Sequence, residues 1–358
     1  MCHAPEAGIR AESFSIKLDL RLEGAGSEQA KAASYGFEIG RDPAHGAGPV
    51  VLREECQVEL ADGTAEGFVL AAGRLAVAPM KYGGEAGKWA AHGRRERRDR
   101  LFLPLLGLDS PLREVESALL GMRFYELDST ILRNIDDDTE RHTSLGPRGE
   151  HLGHVLGALS EAFPETKDYL DGWIRAIIPQ ALGVDERREG EFSTVRARFW
   201  TGEPHLPFRS AVNRGATREG DPHVSIFQRQ ELSEGTVRAA GVLAALFQPG
   251  TFDGSIPLVA IEEPEMAIHP SNAAALFEAI EAASARTQVI VTTQSSDLLD
   301  DEYVKPEHLR MVEMVRGVTR IGELDEHTRR HLTERPDQIA VMHRQGHLRP
   351  ADPDTGRP

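Results

Sequence analysis

Ile-Pro-Leu-Val-Ala-Ile-Glu-Glu-Pro-Glu-Met-Ala-Ile-His-Pro, running from Ile256 to Pro270, joins two unlike halves. The first, Ile256 to Ile261, is an apolar run with the length and make-up of a buried strand. The second opens with Glu262-Glu263-Pro264-Glu265, so two adjacent carboxylates leave the strand at its carboxyl end. Downstream, Asn272 to Ala283 has helical spacing and Gln288 to Thr293 is a second apolar strand, which together make a strand-helix-strand crossover. Strands joined in this way run parallel, and ligands of open α/β sheets sit beyond their carboxyl ends. Glu262, Glu263 and Gln294 fall at those ends.

Upstream of this unit, Thr236 to Phe247 is an Ala/Leu-rich helix stopped by Gln248-Pro249-Gly250, with Ser233 just before it. The segment Leu232-Ser233-Glu234-Gly235-Thr236-Val237-Arg238 therefore puts a Ser, a Gly and free amides at a helix N-terminus, an end that attracts phosphate. The paired carboxylates suit phosphoryl chemistry. One can hold Mg²⁺, usually through water, while its neighbour accepts a proton from the water that attacks a γ-phosphate. Each feature also has a plainer reading when taken alone: an acidic turn after a strand, an ordinary Ser N-cap, and, for Thr292 to Leu299, a helix start.

In this order and spacing the three segments resemble the signature, Walker B with D-loop, and switch regions of ABC-type ATPases. Glu262 to Pro270 is similar to the Glu-Glu-Pro-Glu-x-x-Ile/Leu-His-Pro run of RecF- and SMC-like predicted ATPases filed under the AAA heading. Phe124-Tyr125 through Arg133 and Leu145 through Leu152 look like that family's lobe-connecting region, so the resemblance extends over about residues 120 to 330. It implies an α/β fold, the C-terminal portion of a P-loop NTPase head of the ABC/SMC type, with an antiparallel β lobe and a helical lobe. It implies ATP and Mg²⁺ as cofactors, Glu262 as the metal-side acid and Glu263 as the general base. Gln294 takes the switch position, and Ser233, Gly235 and Thr236 contact the γ-phosphate of a nucleotide held by a second head.

Three departures accompany the resemblance. The family usually has His where this chain has Gln294, which can hydrogen-bond a phosphate or orient water but carries no charge. Glu262 replaces the commoner Asp. No Gly-x-x-x-x-Gly-Lys-Ser/Thr loop is present. The closest match, Gly83 to Trp89, has glycine spacing one short and Trp89 in place of the hydroxyl residue. In the family that loop precedes the β lobe with which this chain begins, so the sequence reads as N-terminally truncated, split, or started at the wrong Met.

The remaining chain divides by composition. Residues 1–80 alternate at period two between Gly-rich turns, as in Phe14 to Leu22, Ser34 to Ile39, Val50 to Leu60 and Gly67 to Val77, and read as an antiparallel meander. Residues 81–220 begin with a Gly/Lys/Arg-rich stretch, continue as helices from Pro104 to about Leu182, and turn to charged strands and loops. Residues 221–335 form the ATPase lobe and 336–358 a tail. The basic run His92 to Arg100 is the one patch that could hold nucleic acid, and its plainer reading is a solvated loop.

The net charge of -16 argues against uniform coating of nucleic acid. With two cysteines, no Cys-x-x-Cys pair, no His/Cys cluster at zinc spacing and no His-Glu-x-x-His, neither a structural zinc nor a hydrolytic metal centre is expected. The absence of a signal peptide or long apolar span points to a cytoplasmic protein with no membrane partner. The expected function is ATP binding and hydrolysis coupled to head dimerisation and to DNA repair or phage defence. Its partner is a second ATPase head, either another copy or a chain supplying the Walker A loop, with DNA and a nuclease subunit as further candidates. The alternative is a catalytically degenerate, truncated or split subunit that keeps the fold and serves as an interaction partner; against it stand Glu263 and Ser233, which a purely structural subunit does not require.

Overall fold

The structure, a computed structural model, describes residues 13–22, 30–41, 48–71, 74–77, 99–106, 110–137, 140–202, 221–301, 303–315 and 318–351. The chain forms two compact units, Met1–Leu120 with Met314–Thr319, and Gly121–Glu313 with Arg320–Pro358. The boundary at Leu120 falls inside the 81–220 segment delineated by composition. Gly83 to Trp89 and residues 92–98 of the basic run lie outside the described residues.

In the first unit, β1 (Ser13–Arg21), β2 (Ala30–Arg41), β3 (Pro49–Leu60), β4 (Ala65–Ala71) and β5 (Arg74–Val77) pair in sequence order. Every pairing is antiparallel, the meander that period-two alternation predicts. Among the described residues a helix, α1 (Leu112–Gly121), follows. Its Leu112 and Val115 join Tyr35, Val58, Phe68 and Phe102 in the core. Buried Glu54 organises this core, accepting from the backbone N–H of Leu103 (2.9 Å) and Phe102 and from the hydroxyl of Tyr35 (3.1 Å). Burial raises its pKa, opposed by those three donors. Burial also pushes the neighbouring Cys56 thiol up to about 12, which makes it an inert core residue.

The second unit opens with β6 (Arg123–Tyr125), α2 (Ser129–Leu132), α3 (Leu152–Ala162) and α4 (Pro164–Ile177). An antiparallel sheet follows: β7 (Ala181–Glu189), β8 (Phe192–Trp200) and β9 (Val224–Gln228). Then come α5 (Glu234–Phe247), β10 (Leu258–Glu262), α6 (Ala273–Ser284) and β11 (Gln288–Thr292). The chain continues with β12 (Met311–Val315) paired to β13 (Val318–Gly322), α7 (Glu326–Glu334) and α8 (Ile339–Arg344). The helix α5 is buried from Thr236 to Phe247 and sits at the centre of the core, as a helix apolar on all sides must.

The expected crossover is present: β10 and β11 run parallel, in register Leu258↔Gln288 through Glu262↔Thr292, with α6 between them. The helical region expected from Pro104 to about Leu182 is interrupted by β6, which pairs parallel to the other side of β10. Three residues are too few to display a period, and Phe124 is exposed, so nothing local marks this strand. Its last residue, Tyr125, is fixed by Gln248, whose amide donates to the Tyr125 hydroxyl at 2.7 Å and accepts from Leu145 N at 3.0 Å. No helix among the described residues is long and apolar enough to cross a membrane.

Candidate active site

The parallel sheet has the order β11-β10-β6, and the carboxyl ends of all three strands open to one side. Beyond β6 come Glu126 to Thr130, beyond β10 Glu263, and beyond β11 Gln294. A cleft of about 430 Å³ lies there, lined by Glu126, Asp128, Glu234, Glu262 and Glu263, by Arg148 and Arg238, and by Leu127, Ser129, Thr130 and Met266. This is where ligands of α/β sheets bind, because strand ends present polar groups at the sheet edge.

Glu263 is held tightly. Its φ of 43° is left-handed, a conformation that costs a non-glycine residue roughly 1–2 kcal/mol and persists only when the surroundings enforce it. They do so from two sides. The Glu263 N–H donates to Thr292 O at 3.0 Å, which continues the β10–β11 ladder by one bond, and its carbonyl accepts from Arg238 Nη2 at 3.2 Å. The same guanidinium donates to Leu127 O at 2.6 Å, so Arg238, on the buried helix α5, ties the segments after β6 and β10 together. Arg238 is 4% exposed. Burial pulls its pKa below the ordinary arginine value, opposed by Glu234, Glu263, Glu265 and Asp128, and a guanidinium remains charged there. The Glu263 carboxylate accepts from the Gln294 amide, Nε2 to Oε1, at 2.8 Å. Glu263 and Gln294, 31 residues apart, are in contact.

The signature-like segment lies against the acidic turn. Ser233 caps α5, its Oγ accepting from Thr236 N at 3.1 Å and sharing a second hydrogen bond with Thr236 Oγ1 at 2.7 Å. Thr236 is buried at 2%. Gly235 packs against the carbonyl of Ala267, where a Cβ would stand well inside 3.0 Å of that oxygen. Ala267 is itself left-handed, with φ 65°. The turn then ends at His269, whose Nδ1 accepts from Ser271 N at 3.2 Å and caps the short turn that begins at Pro270, so the His-Pro pair leads the chain into α6. Glu234 joins the cleft wall and accepts from Ser129 Oγ at 2.8 Å, whereas Ser233, Gly235 and Thr236 are not among the lining residues.

Electrostatically the cleft sets five carboxylates against two guanidinium groups. It repels a bare triphosphate and suits a hard divalent cation. The exposed Glu262 carboxylate at the end of β10 offers the oxygen ligands that Mg²⁺ requires. Asp128 is committed elsewhere. Its carboxylate caps α2 through Thr130 N (2.7 Å) and Ile131 N (3.3 Å) and pairs with Arg148 Nη2 at 2.7 Å. The Thr130 N–H foremost, then Ile131 N–H, the Thr130 hydroxyl and Arg148, hold its pKa below the usual aspartate value against a desolvation that works the other way.

Three participants escaped the sequence reading. Asp128 and Arg148 come from a connecting segment without periodicity. Arg238 carried a usable signal, since a lone Arg inside an Ala/Leu-rich apolar helix must find buried acceptors. A further departure concerns the histidines. Against the expectation of no cluster, the fold brings His142, His151 and His154 together, one ligand atom from each within 4.8 Å of the others. The spacing matches no zinc signature, and the loop before α3 has to fold back to bring His142 in.

The family described as "AAA domain, putative AbiEii toxin, Type IV TA system" matches residues 84–301. No curated protein matches at a significant level. Among solved structures, an SMC head bound to the C-winged helix domain of ScpA is 11% identical, with 91% of this chain and 78% of that chain covered and a TM-score of 0.40. An Smc head with an extended coiled coil bound to the C-terminal domain of ScpA, from Pyrococcus furiosus, is 10% identical, with 92% and 81% covered and a TM-score of 0.39. The SMC head domain from Thermotoga maritima is 12% identical, with 82% and 74% covered and a TM-score of 0.31.

Proposed function

The chain belongs to this AAA-domain family, and on that premise we propose that its second unit has the fold of an ABC/SMC-like P-loop ATPase head and carries the signature, Walker B and switch side of an ATP-hydrolysing site. One observation carries the reading. Glu263, in a strained backbone conformation at the end of the central strand, is hydrogen-bonded at 2.8 Å by Gln294 from the next strand. That pair is what a general base and its orienting partner require.

In this reading Glu262 holds Mg²⁺, which when bound neutralises phosphate charge as it builds up. Glu263 takes the proton of the attacking water. Gln294 fixes the Glu263 carboxylate through its amide and keeps one oxygen aimed away from itself. Ser233, Gly235 and Thr236 meet the γ-phosphate presented by a second head, after the Ser233–Thr236 hydrogen bond has opened. The acidic cleft favours a nucleotide whose phosphates are held mainly from the opposite side, so the partner is a second head or a chain supplying the Walker A loop. We assign the activity to DNA repair or phage defence, the latter favoured by the toxin wording of the family description; DNA and a nuclease subunit remain proposed partners.

A second reading is a catalytically degenerate head that pairs with an intact ATPase. It is favoured by the absence of Gly-x-x-x-x-Gly-Lys-Ser/Thr from the sequence and by the uncharged Gln294. Hydrolysis of ATP by the purified chain, alone and mixed with a P-loop-bearing head from the same cell, separates the two. Mg²⁺-dependent turnover that falls about 10²- to 10⁴-fold in Glu263→Gln supports the ATPase. Turnover indifferent to Glu263→Gln in every mixture leaves the degenerate partner.

A further inference from the structure

We propose that His142, His151 and His154 bind one divalent transition-metal ion of the zinc class, at a site built from residues none of which lines the acidic cleft. Imidazole is a preferred ligand of Zn²⁺ and its neighbours in the first transition row, and a poor one for Mg²⁺. Three ligand atoms within 4.8 Å of one another are close to a coordination sphere. Zn–N bonds of about 2.0–2.1 Å in a tetrahedral site put the nitrogens roughly 3.4 Å apart, so closure requires movements of at most about 1.5 Å. The rings are nearly parallel, with His142 and His151 centroids 3.8 Å apart and His154 at 5.7 and 6.0 Å from them. Rotation about the broad χ2 torsion of histidine turns their nitrogens toward a common point.

The surroundings favour this use. His151 Nδ1 lies 3.2 Å from Asp136 Oδ1, a charge contact without hydrogen-bond geometry that places a carboxylate beside the site. Asp136 is itself fixed by reciprocal backbone hydrogen bonds with Ser193, at 2.8 and 2.9 Å. His151 and His154 stand one turn apart at the start of α3, His151 in a left-handed conformation with φ 66°. The backbone N–H of His142 approaches His154 Nδ1 at 3.5 Å and holds its loop to that helix. His154 is 3% exposed. Asp136 and Glu186 are the carboxylates that act on this ring. Those two carboxylates offset the charge of a bound cation. Three protein ligands leave a fourth tetrahedral position to water.

The test uses the full chain, stripped by a chelator and titrated with Zn²⁺ and Co²⁺ in excess Mg²⁺. The expected results are one Co²⁺ per chain with the visible absorption of a four- or five-coordinate ion, and a thermal midpoint that rises with Zn²⁺. Both signals vanish in His142→Gln combined with His151→Asn, where Asn preserves the left-handed backbone and the metal-free midpoint stays near that of the wild type. Asp136→Asn weakens binding about 10- to 100-fold. X-ray absorption on the wild-type Co²⁺ form counts imidazole ligands without any substitution, and three are expected. Fewer than three imidazoles, no stoichiometric binding, or binding retained in a folded double variant overturns the site.

Discussion

The Cα of Gly235 faces the carbonyl oxygen of Ala267 across a gap too small for a methyl group. The first turn of α5 thus rests on the backbone of the turn that follows β10, which brings the signature-like and Walker B-like segments into contact. Glycine in the sequence Ser-Glu-Gly-Thr is required here by packing, since its own φ is not left-handed.

Gly235→Ala therefore reverses the usual sign. In an unobstructed helix the change stabilises by about 0.5–1 kcal/mol. Here the obstacle is backbone, not a flexible side-chain end, and a loss of about 1–3 kcal/mol is expected from forced displacement. Urea unfolding of the two proteins measures it; an increase in stability would show that the turn gives way freely.

The contact between Gln294 and Glu263 yields a pH signature in Gln294→Glu. Two carboxylates at hydrogen-bond distance cannot both ionise without mutual repulsion, so the pair keeps a proton above the ordinary carboxylate range. A folded-state pKa raised above the unfolded value means stability is lost as pH rises through it. The variant is expected to match the wild type near pH 4 and to be about 1 kcal/mol less stable at pH 8. Denaturation midpoints at the two pH values decide, and an equal deficit at both would dissociate the effect from ionisation.

Arg238→Met removes the donors that Leu127 and Glu263 carbonyls share. Two buried acceptors lose a charged donor, with an expected cost of about 3 kcal/mol. Arg238→Lys keeps the charge on a single nitrogen that cannot fork to both carbonyls, and recovers about half. Guanidinium melts of the three proteins rank them, and Lys equal to Met would mean that the fork, rather than the charge, holds Glu263.

Asp128 has a depressed pKa, so its contribution is present above the unfolded aspartate value near pH 3.9 and disappears as pH falls through the lower folded one. Asp128→Ala is expected to cost about 1 kcal/mol at pH 7, mostly through the lost cap, because the partly exposed Arg148 pair adds little. The difference should narrow as pH falls through that lower folded value. A gap that persists there would assign the effect to packing.

Much of the second unit was legible because its cues are local. Ile256 to Ile261 and Gln288 to Thr293 are apolar runs of strand length around an Ala-rich helix, and the structure gives β10, α6 and β11 within two residues of those limits. The alternating strands β1 to β3 were equally plain, whereas the single run read from Gly67 to Val77 divides into β4 and β5. Illegible were β6, whose three residues acquire meaning only beside β10, and Arg238, whose two acceptors are contributed by segments 111 and 25 residues away.

The sequence alone determined the elements and the chemical types: a strand ending in Glu262-Glu263, a capped helix beginning at Ser233, a polar end at Gln294. Periodicity, capping and turn chemistry act within one or two turns of the chain, so they can be read from neighbours. Tertiary structure alone decided which groups meet: Gln294 on Glu263, Gly235 on Ala267, and His142 on His151 and His154. Those contacts depend on how buried elements stack, and burial responds to total apolar area and shape, which no short window of residues contains.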